Sequence, residues 1–217
     1  MSALDLHAIG PEGMPPVLVL ASASPRRREL LWQIGVAHRV VVANVDERPH
    51  AGESAADCVQ RLALAKAQQV WPESVPVLGA DTAVVLDGEM LGKPHDRPTA
   101  LAMLARLSGR SHRVLTAVAL VNGRGSQLRL SDSEVQFRTL DATECARYWD
   151  SGEPRDKAGG YAIQGLGAVF VSRLHGSFSG VMGLPLFETA ALLDAAGVPR
   201  WPHARRPPGA ATLGAAI

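Results

Sequence analysis

The first strongly apolar run in the chain, VLVL at residues 17–20, has the pattern of a strand buried on both faces. Small residues follow, and from Pro25 onward the apolar residues Leu30 and Leu31 mark one face of a predicted helix. Serine, here Ser24, is favoured at the position just before a helix. Proline suits the first helical position because its missing N–H would be unpaired there anyway. The pattern therefore predicts a strand, a small-residue turn and a helix as the first ordered unit.

Similar patterns place further elements along the rest of the chain. Strands are predicted at residues 38–45, at 75–86 with an interruption at 79–82, at 111–121 and 127–137 as a hairpin, and at 168–174. Helices are predicted at residues 55–70, 99–107, 139–150 and 184–196. Because strand–helix alternation gives way to hairpins, we expect an α/β fold with a mixed sheet. One folding unit is expected over residues 17–197, between a flexible extension at 1–16 and a tail containing proline and arginine at 198–217.

Composition and charge narrow the class of protein. The 217 residues are 47% hydrophobic and 20% charged, which is typical of a globular domain. The net charge of +1 argues against a nucleic-acid partner, which needs a strong basic excess. Neither a membrane-spanning run nor a signal peptide is apparent, so a cytoplasmic protein without a membrane partner is expected. Cys58 and Cys145 are expected to be buried free thiols.

The predicted first helix carries three arginines, Arg26, Arg27 and Arg28, in its first turn. The dipole of a helix favours acidic residues there, so the arginines break a local rule. A helix N-terminus after a small-residue turn binds anions, and arginine offers paired donors to phosphate. A solvated basic turn is the alternative, but a broken local rule is a feature of functional sites, and we favour an anion site.

Carboxylates and lysines at later turns extend this hypothesis. Asp81 interrupts the apolar stretch VPVLGADTAVVL, and Asp46 and Glu47 close the second predicted strand. Each carboxylate could be a simple turn residue, but two of them converging on one cation would suit Mg²⁺. Lys66, on a long helix that could equally expose it to solvent, and Lys93, in a constrained Gly-Lys-Pro turn, are candidate phosphate partners. Together these residues predict a metal–polyphosphate substrate.

Other catalytic chemistries find less support. The seven histidines show no zinc-ligand spacing, and His112 is interpreted as a turn or cap residue before a strand. The Gly-x-Ser-x-Gly motif of one class of serine hydrolases is absent from the sequence.

Five ordered motifs carry a family resemblance. ASASPRRRELL at residues 21–31 resembles the signature of the Maf family of nucleoside triphosphate pyrophosphatases, and LGADT (78–82), GKP (92–94), SGRSH (108–112) and DKAGGYAIQG (156–165) resemble its other blocks. The resemblance implies a fold similar to that of the inosine triphosphate pyrophosphatases, with an elongated mixed sheet flanked by helices and two lobes around a cleft. It also implies hydrolysis of a nucleoside triphosphate to the monophosphate and pyrophosphate with a divalent cation, Mg²⁺ or Mn²⁺. DKAGGYAIQG is similar to the branch that acts on dTTP and UTP.

The resemblance also implies a role for each matching residue. Asp81 corresponds to the proton acceptor. The positions that select the base are Arg26, Thr82 and Gln164; those that bind phosphate are Ser22, Arg27, Lys66 and Lys93; those that hold the metal are Glu47 and Asp81. A metal ligand and a general base are partly competing roles, and the sequence leaves the role of Asp81 open between them. A homodimer is the implied assembly.

Three other functions are weighed against this one. The same reaction on another nucleotide, either modified or like 7-methyl-GTP, would use the same phosphate and metal residues. A non-catalytic nucleotide-sensing regulator of cell division would keep the phosphate site without the base, so Asp81 argues against it. A single-stranded nucleic-acid binder is disfavoured because the two tyrosines and four phenylalanines are not interleaved with basic residues.

Overall fold

The computed structural model describes residues 8–9 and 15–201. The described strands are β1 (Ala8–Ile9), β2 (Leu18–Leu20), β3 (His38–Val40), β4 (Val77–Leu86), β5 (Glu89–Leu91), β6 (Ser111–Asn122), β7 (Gly125–Phe137) and β8 (Val171–His175). They form one sheet in the order β1-β3-β2-β4-β6-β7-β8, and β5 also pairs with β4. Because β2 is parallel to β3 and β4 while the other pairs are antiparallel, the mixed sheet predicted from the sequence is confirmed.

Helices flank this sheet. They are α1 (Pro25–Gln33), α2 (Ala55–Val70), α3 (Arg97–Leu107), α4 (Ala142–Asp150), α5 (Phe178–Met182) and α6 (Leu186–Ala195), with 3₁₀ turns at Glu153–Asp156, Ala158–Gly160 and Leu166–Phe170. No helix among the described residues has the length and apolar character that crossing a membrane requires. Cys58 and Cys145 are buried free thiols, as predicted.

Strand β4 contacts separate core clusters with its two faces. Val77 and Val85 pack in a cluster with residues of α2, whereas Leu78 and Ala80 pack in a cluster with α1 and α6. Since successive side chains of a strand point to opposite faces, α2 covers one face of the sheet and α1 and α6 cover the other. A third cluster joins α3 and α4 to the aromatic residues near the end of β7 and in the loops around 161–170.

The predicted interruption of β4 at residues 79–82 is wrong. The strand runs through it, and Gly79, Ala80, Asp81 and Thr82 all pair with β6. Gly79 serves the packing of α2 instead: a Cβ atom there would lie 2.2 Å from the carbonyl oxygen of Ala63. The glycine therefore marks a close approach between strand and helix, which a sequence pattern does not distinguish from a turn.

On its other edge, however, β4 has a gap. The pairing with β2 covers Val77 and Leu78, and the pairing with β5 begins at Val84. Between them, no described strand pairs with this edge over residues 79–83. Asp81 and Thr82 are the partly exposed pair in a strand that is otherwise buried. The gap exposes both side chains, although they point to opposite faces of the sheet.

Several predicted boundaries also change. The strand predicted at 38–45 ends at Val40, because its parallel partner β2 ends at Leu20 and the chain then turns into α1. Helix α5 was not predicted, and β8 begins at Val171, after a 3₁₀ turn. Ser24 precedes α1, but its side chain accepts no capping hydrogen bond.

Four residues differ in environment from the sequence interpretation. His112 lies within β6 and is buried, so it is neither a turn nor a cap residue. Within the predicted extension, Ala8–Ile9 pairs with β3, and within the predicted tail, Val198 is buried against the α6 cluster. The rest of the predicted extension up to residue 14, and of the tail from residue 202, lies outside the described residues.

Candidate active site

A cleft of about 710 Å³ opens at the gap along β4. The turn after β2, the segment after β3, the end of β5 and the glycine-rich loop after α4 all contribute to its walls. Every residue to which the family resemblance assigns a role lines this cleft: Ser22, Arg26, Arg27, Glu47, Lys66, Asp81, Thr82, Lys93 and Gln164. Residues far apart in sequence therefore form one site.

Arg27 anchors one wall of the cleft. Its Nε donates to the carbonyl of Gly183 at 2.7 Å, and its two terminal nitrogens donate to the hydroxyls of Ser22 at 3.1 Å and Thr82 at 3.2 Å. None of these three acceptors is a carboxylate. Burial lowers the pKa of Arg27, and the charge of Arg26 acts in the same direction, while Asp81 and Glu47 oppose them. The guanidinium remains charged at neutral pH, so the wall presents a positive charge to the cleft.

The neighbouring Arg26 is held by the same helix end. Its Nε donates to the carbonyl of Met182 at 3.2 Å, one residue before the carbonyl that Arg27 uses. Its terminal nitrogen lies 3.8 Å from a carboxylate oxygen of Asp156 on the glycine-rich loop. The C-terminal carbonyls of a helix lack partners within the helix, so α5 compensates for the arginines in the first turn of α1. The contacts with the end of α5 therefore explain how arginines are accommodated in the first turn of α1, where the helix dipole disfavours them.

On the α2 side, Lys66 lies between two carboxylates. Its ammonium is 2.7 Å from Asp81 Oδ1 and 2.5 Å from Glu47 Oε1. The lysine is only 7% exposed, so the alternative of a solvated lysine is excluded. Burial acts to raise the pKa of Glu47, but the hydrogen bond and charge of Lys66, with the charges of Lys93 and Arg27, lower it below the ordinary value. Glu47 is therefore a carboxylate at neutral pH.

The metal ligands implied by the family resemblance are these same two carboxylates. No group of three or more His, Cys, Asp or Glu side chains that could hold a metal exists among the described residues. Mg²⁺ commonly binds through one or two carboxylates, with substrate phosphates and water completing its shell. Glu47 and Asp81 converge on Lys66 from separate segments, and the donor set therefore fits Mg²⁺ or Mn²⁺ bound together with a polyphosphate.

Lys93 and Gln164 are exposed members of the site. Lys93 follows β5, and its charge contributes to lowering the pKa of Glu47. Gln164 occupies a tight turn in the glycine-rich loop. Neither side chain forms a hydrogen bond with another described residue, which leaves both available to a ligand. Asp46, in contrast, pairs with the exposed Arg48 and does not line the cleft among the described residues.

Sequence reasoning missed four residues that support or line the cleft. Thr116 lies on β6 with its hydroxyl 3.0 Å from that of Thr82 and 2.8 Å from the carbonyl of Gly180. Asp156 and Lys157 pair with each other at the cleft wall. The Tyr161 hydroxyl lies 2.8 Å from His112 Nε2. The motif at 156–165 was the available signal for three of them, whereas nothing in the pattern of β6 singles out Thr116.

Comparison with known proteins agrees with this arrangement of motifs. The family model described as "Maf-like protein" matches residues 17–196. A dTTP/UTP pyrophosphatase of Saccharophagus degradans is 53% identical, covering 85% of this chain and 90% of that protein. Two further proteins carry the same name. That of Alkalilimnicola ehrlichii is 57% identical, covering 82% of this chain and 92% of that protein. That of Bordetella parapertussis is 54% identical, covering 85% of this chain and 94% of that protein.

A solved structure, that of the Staphylococcus aureus Ham1 protein, matches with a TM-score of 0.40 and 13% identity, covering 71% of this chain and 79% of that chain. A similarity at that level supports no conclusion about the fold or the function. The match of the family model and the three relatives, in contrast, extends over most of the chain. The chain belongs to the Maf-like protein family.

Proposed function

We propose that this protein hydrolyses dTTP and UTP to the nucleoside monophosphate and pyrophosphate. The observation that carries the proposal is one cleft in which Arg27, a guanidinium that pairs with no carboxylate of the described residues, lies across from two carboxylates, Glu47 and Asp81. In such a cleft, the polyphosphate would bind the guanidinium and its cation would bind the carboxylates. The dTTP/UTP pyrophosphatases at 53–57% identity support the choice of substrates.

Arg27 is suited to bind phosphate while it keeps its structural bonds. A guanidinium has five N–H groups, and the contacts to Gly183, Ser22 and Thr82 use three of them. One N–H on each terminal nitrogen remains, which is the paired geometry that phosphate oxygens accept. The Ser22 hydroxyl, the buried Lys66 and the exposed Lys93 would add further donors to the triphosphate.

Glu47 and Asp81 would hold the divalent cation, Mg²⁺ or Mn²⁺. A cation bound there supplies neutralisation of phosphate charge and lowers the pKa of a coordinated water. The Lys66 ammonium lies between the two carboxylates, which offsets the repulsion between them.

Asp81 is the residue proposed to accept the proton of the attacking water. Lys66 contacts its Oδ1, which leaves Oδ2 to orient the water and accept a proton. The water oxygen adds to phosphorus, the bond between that phosphorus and the oxygen bridging the α- and β-phosphates breaks, and that oxygen leaves with one of the two products. The side chain of Asp81 is 15% exposed, so water reaches it through the cleft.

The base would be selected at the other end of the cleft. The amide of Gln164 offers both a donor and an acceptor, which complements O4 and N3–H of uracil or thymine. Cytosine presents a donor where uracil presents O4, so it would leave polar groups of the site unpaired. Arg26 lines this wall beside Asp156, and Thr82, the third proposed base-selecting residue, accepts a hydrogen bond from Arg27.

A pyrophosphate-release panel tests the proposal. The protein is assayed with dTTP, UTP, CTP, ATP, GTP and 7-methyl-GTP, each with Mg²⁺, with Mn²⁺ and with a chelator. The proposal predicts the highest kcat/KM for dTTP and UTP, loss of turnover with chelator, and equal amounts of monophosphate and pyrophosphate. A higher kcat/KM for another nucleotide would mean that this nucleotide is the substrate. Nucleotide binding without turnover would favour a nucleotide-sensing regulator.

Assembly and location form a separate proposal. We propose a homodimer in the cytoplasm without a nucleic-acid partner, on the family resemblance and on the net charge of +1. Size-exclusion chromatography with light scattering tests the first part, since a monomer near 22.9 kDa would contradict it.

A further inference from the structure

Residues 162–165 form a tight turn that carries Gln164, and the structure holds this turn from both sides. The N–H of Gly165 donates to the carbonyl of Ala162 at 3.2 Å, which closes the turn. The N–H of Ala162, at its start, donates to the Tyr148 hydroxyl at 3.0 Å. Beyond its end, the backbone is bound by a single carboxylate, that of Glu153.

Glu153 accepts three hydrogen bonds that tie these segments together. Its Oε1 accepts from the Tyr148 hydroxyl at 2.7 Å and from the N–H of Gly167 at 3.0 Å. Its Oε2 accepts from the N–H of Leu166 at 2.8 Å. Through Tyr148 the carboxylate therefore reaches the first residue of the turn, and through two backbone N–H groups it reaches the residues just after it.

Two glycines allow this close contact. A Cβ atom on Gly165 would lie 2.1 Å from Glu153 Oε2, and one on Gly167 would lie 2.8 Å from the Tyr148 hydroxyl oxygen. Any larger residue would displace the carboxylate or the phenol. These glycines in the IQGLG segment thus serve the contact between the turn and Glu153.

The charges of the two groups fit the geometry. Burial acts to raise the pKa of Glu153, but the hydrogen bonds from Tyr148, Gly167 and Leu166, with the charge of Lys157, lower it below the ordinary value. Burial, reinforced by the bond to Glu153, raises the pKa of Tyr148. At neutral pH the pair is a carboxylate and a protonated phenol, so Glu153 accepts every bond it makes.

We propose that Glu153, acting partly through Tyr148, is a positioning residue for base selection: it fixes the turn that presents Gln164 to the base. Neither Glu153 nor Tyr148 lines the cleft among the described residues, so both act through Gln164. The inference rests on the proposed function, because it assumes that Gln164 contacts the base. It adds residues outside the pocket to those that decide between uracil and cytosine.

Glu153→Gln and Tyr148→Phe test the proposal. Glutamine has one acceptor oxygen, so one of the donors now facing the carboxylate would meet an NH₂ group; phenylalanine removes the acceptor of the Ala162 N–H. Glu144→Gln is the matched control, since Glu144 lies on α4, the helix that carries Tyr148, but pairs with the surface Arg138. Each protein is assayed with UTP and CTP, and with tripolyphosphate, a competitor without a base, as the inhibitor.

The expected result is a change confined to base selection. In Glu153→Gln and Tyr148→Phe, the ratio of kcat/KM for UTP to that for CTP falls about tenfold, the effect of one misplaced hydrogen bond. Inhibition by tripolyphosphate stays within about twofold of the wild type, and Glu144→Gln leaves the ratio unchanged. In a Gln164→Ala background, Glu153→Gln lowers the ratio no further, because the residue through which it acts is absent.

Two outcomes overturn the inference. One is an unchanged ratio of kcat/KM for UTP to that for CTP in folded variants. This includes the case in which both kcat/KM values fall by the same factor, as a loss of stability would cause. The other is a further fall of the ratio in the Gln164→Ala background. The wild-type measurements separate this failure from that of the proposed function, since a wild type without preference for UTP over CTP contradicts the proposed function itself. If Glu153→Gln does not fold, Tyr148→Phe decides by the same criteria.

Discussion

One guanidinium ties three segments of the chain together at position 27. Arg27 bonds the turn after β2 through Ser22, the middle of β4 through Thr82, and the end of α5 through Gly183. It is therefore both a structural anchor and the proposed phosphate donor. A lysine keeps the charge but has a single nitrogen, so it cannot reproduce three divergent bonds and still bind phosphate in a paired geometry.

Arg27→Lys should lower kcat/KM for UTP by about 10- to 100-fold, because one or two charge-assisted hydrogen bonds are lost. Steady-state kinetics on the variant measure this effect. Arg28→Lys, at the next position of α1 but outside the cleft lining among the described residues, should stay within about twofold. An equal kcat/KM for UTP in Arg27→Lys and the wild type would show that the charge alone matters and that the paired N–H groups of the guanidinium do not.

His112 makes stability depend on pH. Burial lowers its pKa to about 4, and the ordinary value is 6.5. The unfolded chain therefore binds a proton between these values while the folded chain does not. The contribution to stability is complete above about pH 6.5 and is lost as the pH falls towards 4, because stability rises with pH wherever the unfolded state binds more protons.

From this single group, lowering the pH from 7 to 5 should cost about 2 kcal/mol in the free energy of unfolding. Urea unfolding of the wild type and of His112→Gln at both pH values isolates the effect, since other titrating groups are shared. The variant should lose about 2 kcal/mol less than the wild type. An identical pH dependence in the two proteins would mean that His112 is already protonated, or exposed, in the folded state.

At the scale of elements, the gap along β4 creates the site. β2 and β5 pair with opposite ends of the same strand edge and leave residues 79–83 between them. Asp81 meets Lys66 of α2 on one face of the sheet, and Thr82 meets Arg27 of α1 on the other. A continuous neighbouring strand would have buried both side chains, so the short length of β2 is a requirement of the site.

Gly79→Ala should destabilise this arrangement. The new Cβ atom would lie 2.2 Å from the Ala63 carbonyl oxygen, a backbone atom of α2, so the helix must shift. We expect a loss of about 1–3 kcal/mol in the free energy of unfolding, measured with urea. Gly123→Ala in the β6–β7 turn, where no atom of the described residues lies within 4 Å of the added Cβ, is the control and should change it by less than about 0.5 kcal/mol. Equal stabilities would contradict the close packing of α2 on β4.

The sequence predicted elements well where one local signal decides. The apolar run before Pro25 and the hairpin between β6 and β7 lie where the pattern indicated. It failed where a distant contact decides: Gly79 resembles a turn until α2 packs on it, and β3 stops early because its partner does. Ser24 occupies the predicted position before α1, although its side chain accepts no hydrogen bond from the helix.

At the scale of the whole molecule, the candidate site was largely predictable from the motifs, because every residue to which the family resemblance assigns a role lies in one cleft. What the sequence could not supply was the partner of each side chain. Lys66 was expected to face phosphate or solvent, and it lies between Glu47 and Asp81. Thr116 and Glu153 carry no sequence signal of a functional role, because the hydroxyl and backbone groups that they contact come close only in the folded chain.

The central claim is that Asp81 activates water for cleavage of a nucleoside triphosphate. The most direct test is kcat for UTP, with UMP and pyrophosphate quantified, in the wild type, in Asp81→Asn and in Asp46→Asn, a nearby exposed carboxylate that pairs with Arg48. The account predicts that Asp81→Asn lowers kcat at least about 100-fold while it stays folded, and that Asp46→Asn remains within about twofold. A folded Asp81→Asn variant with kcat near that of the wild type would contradict it.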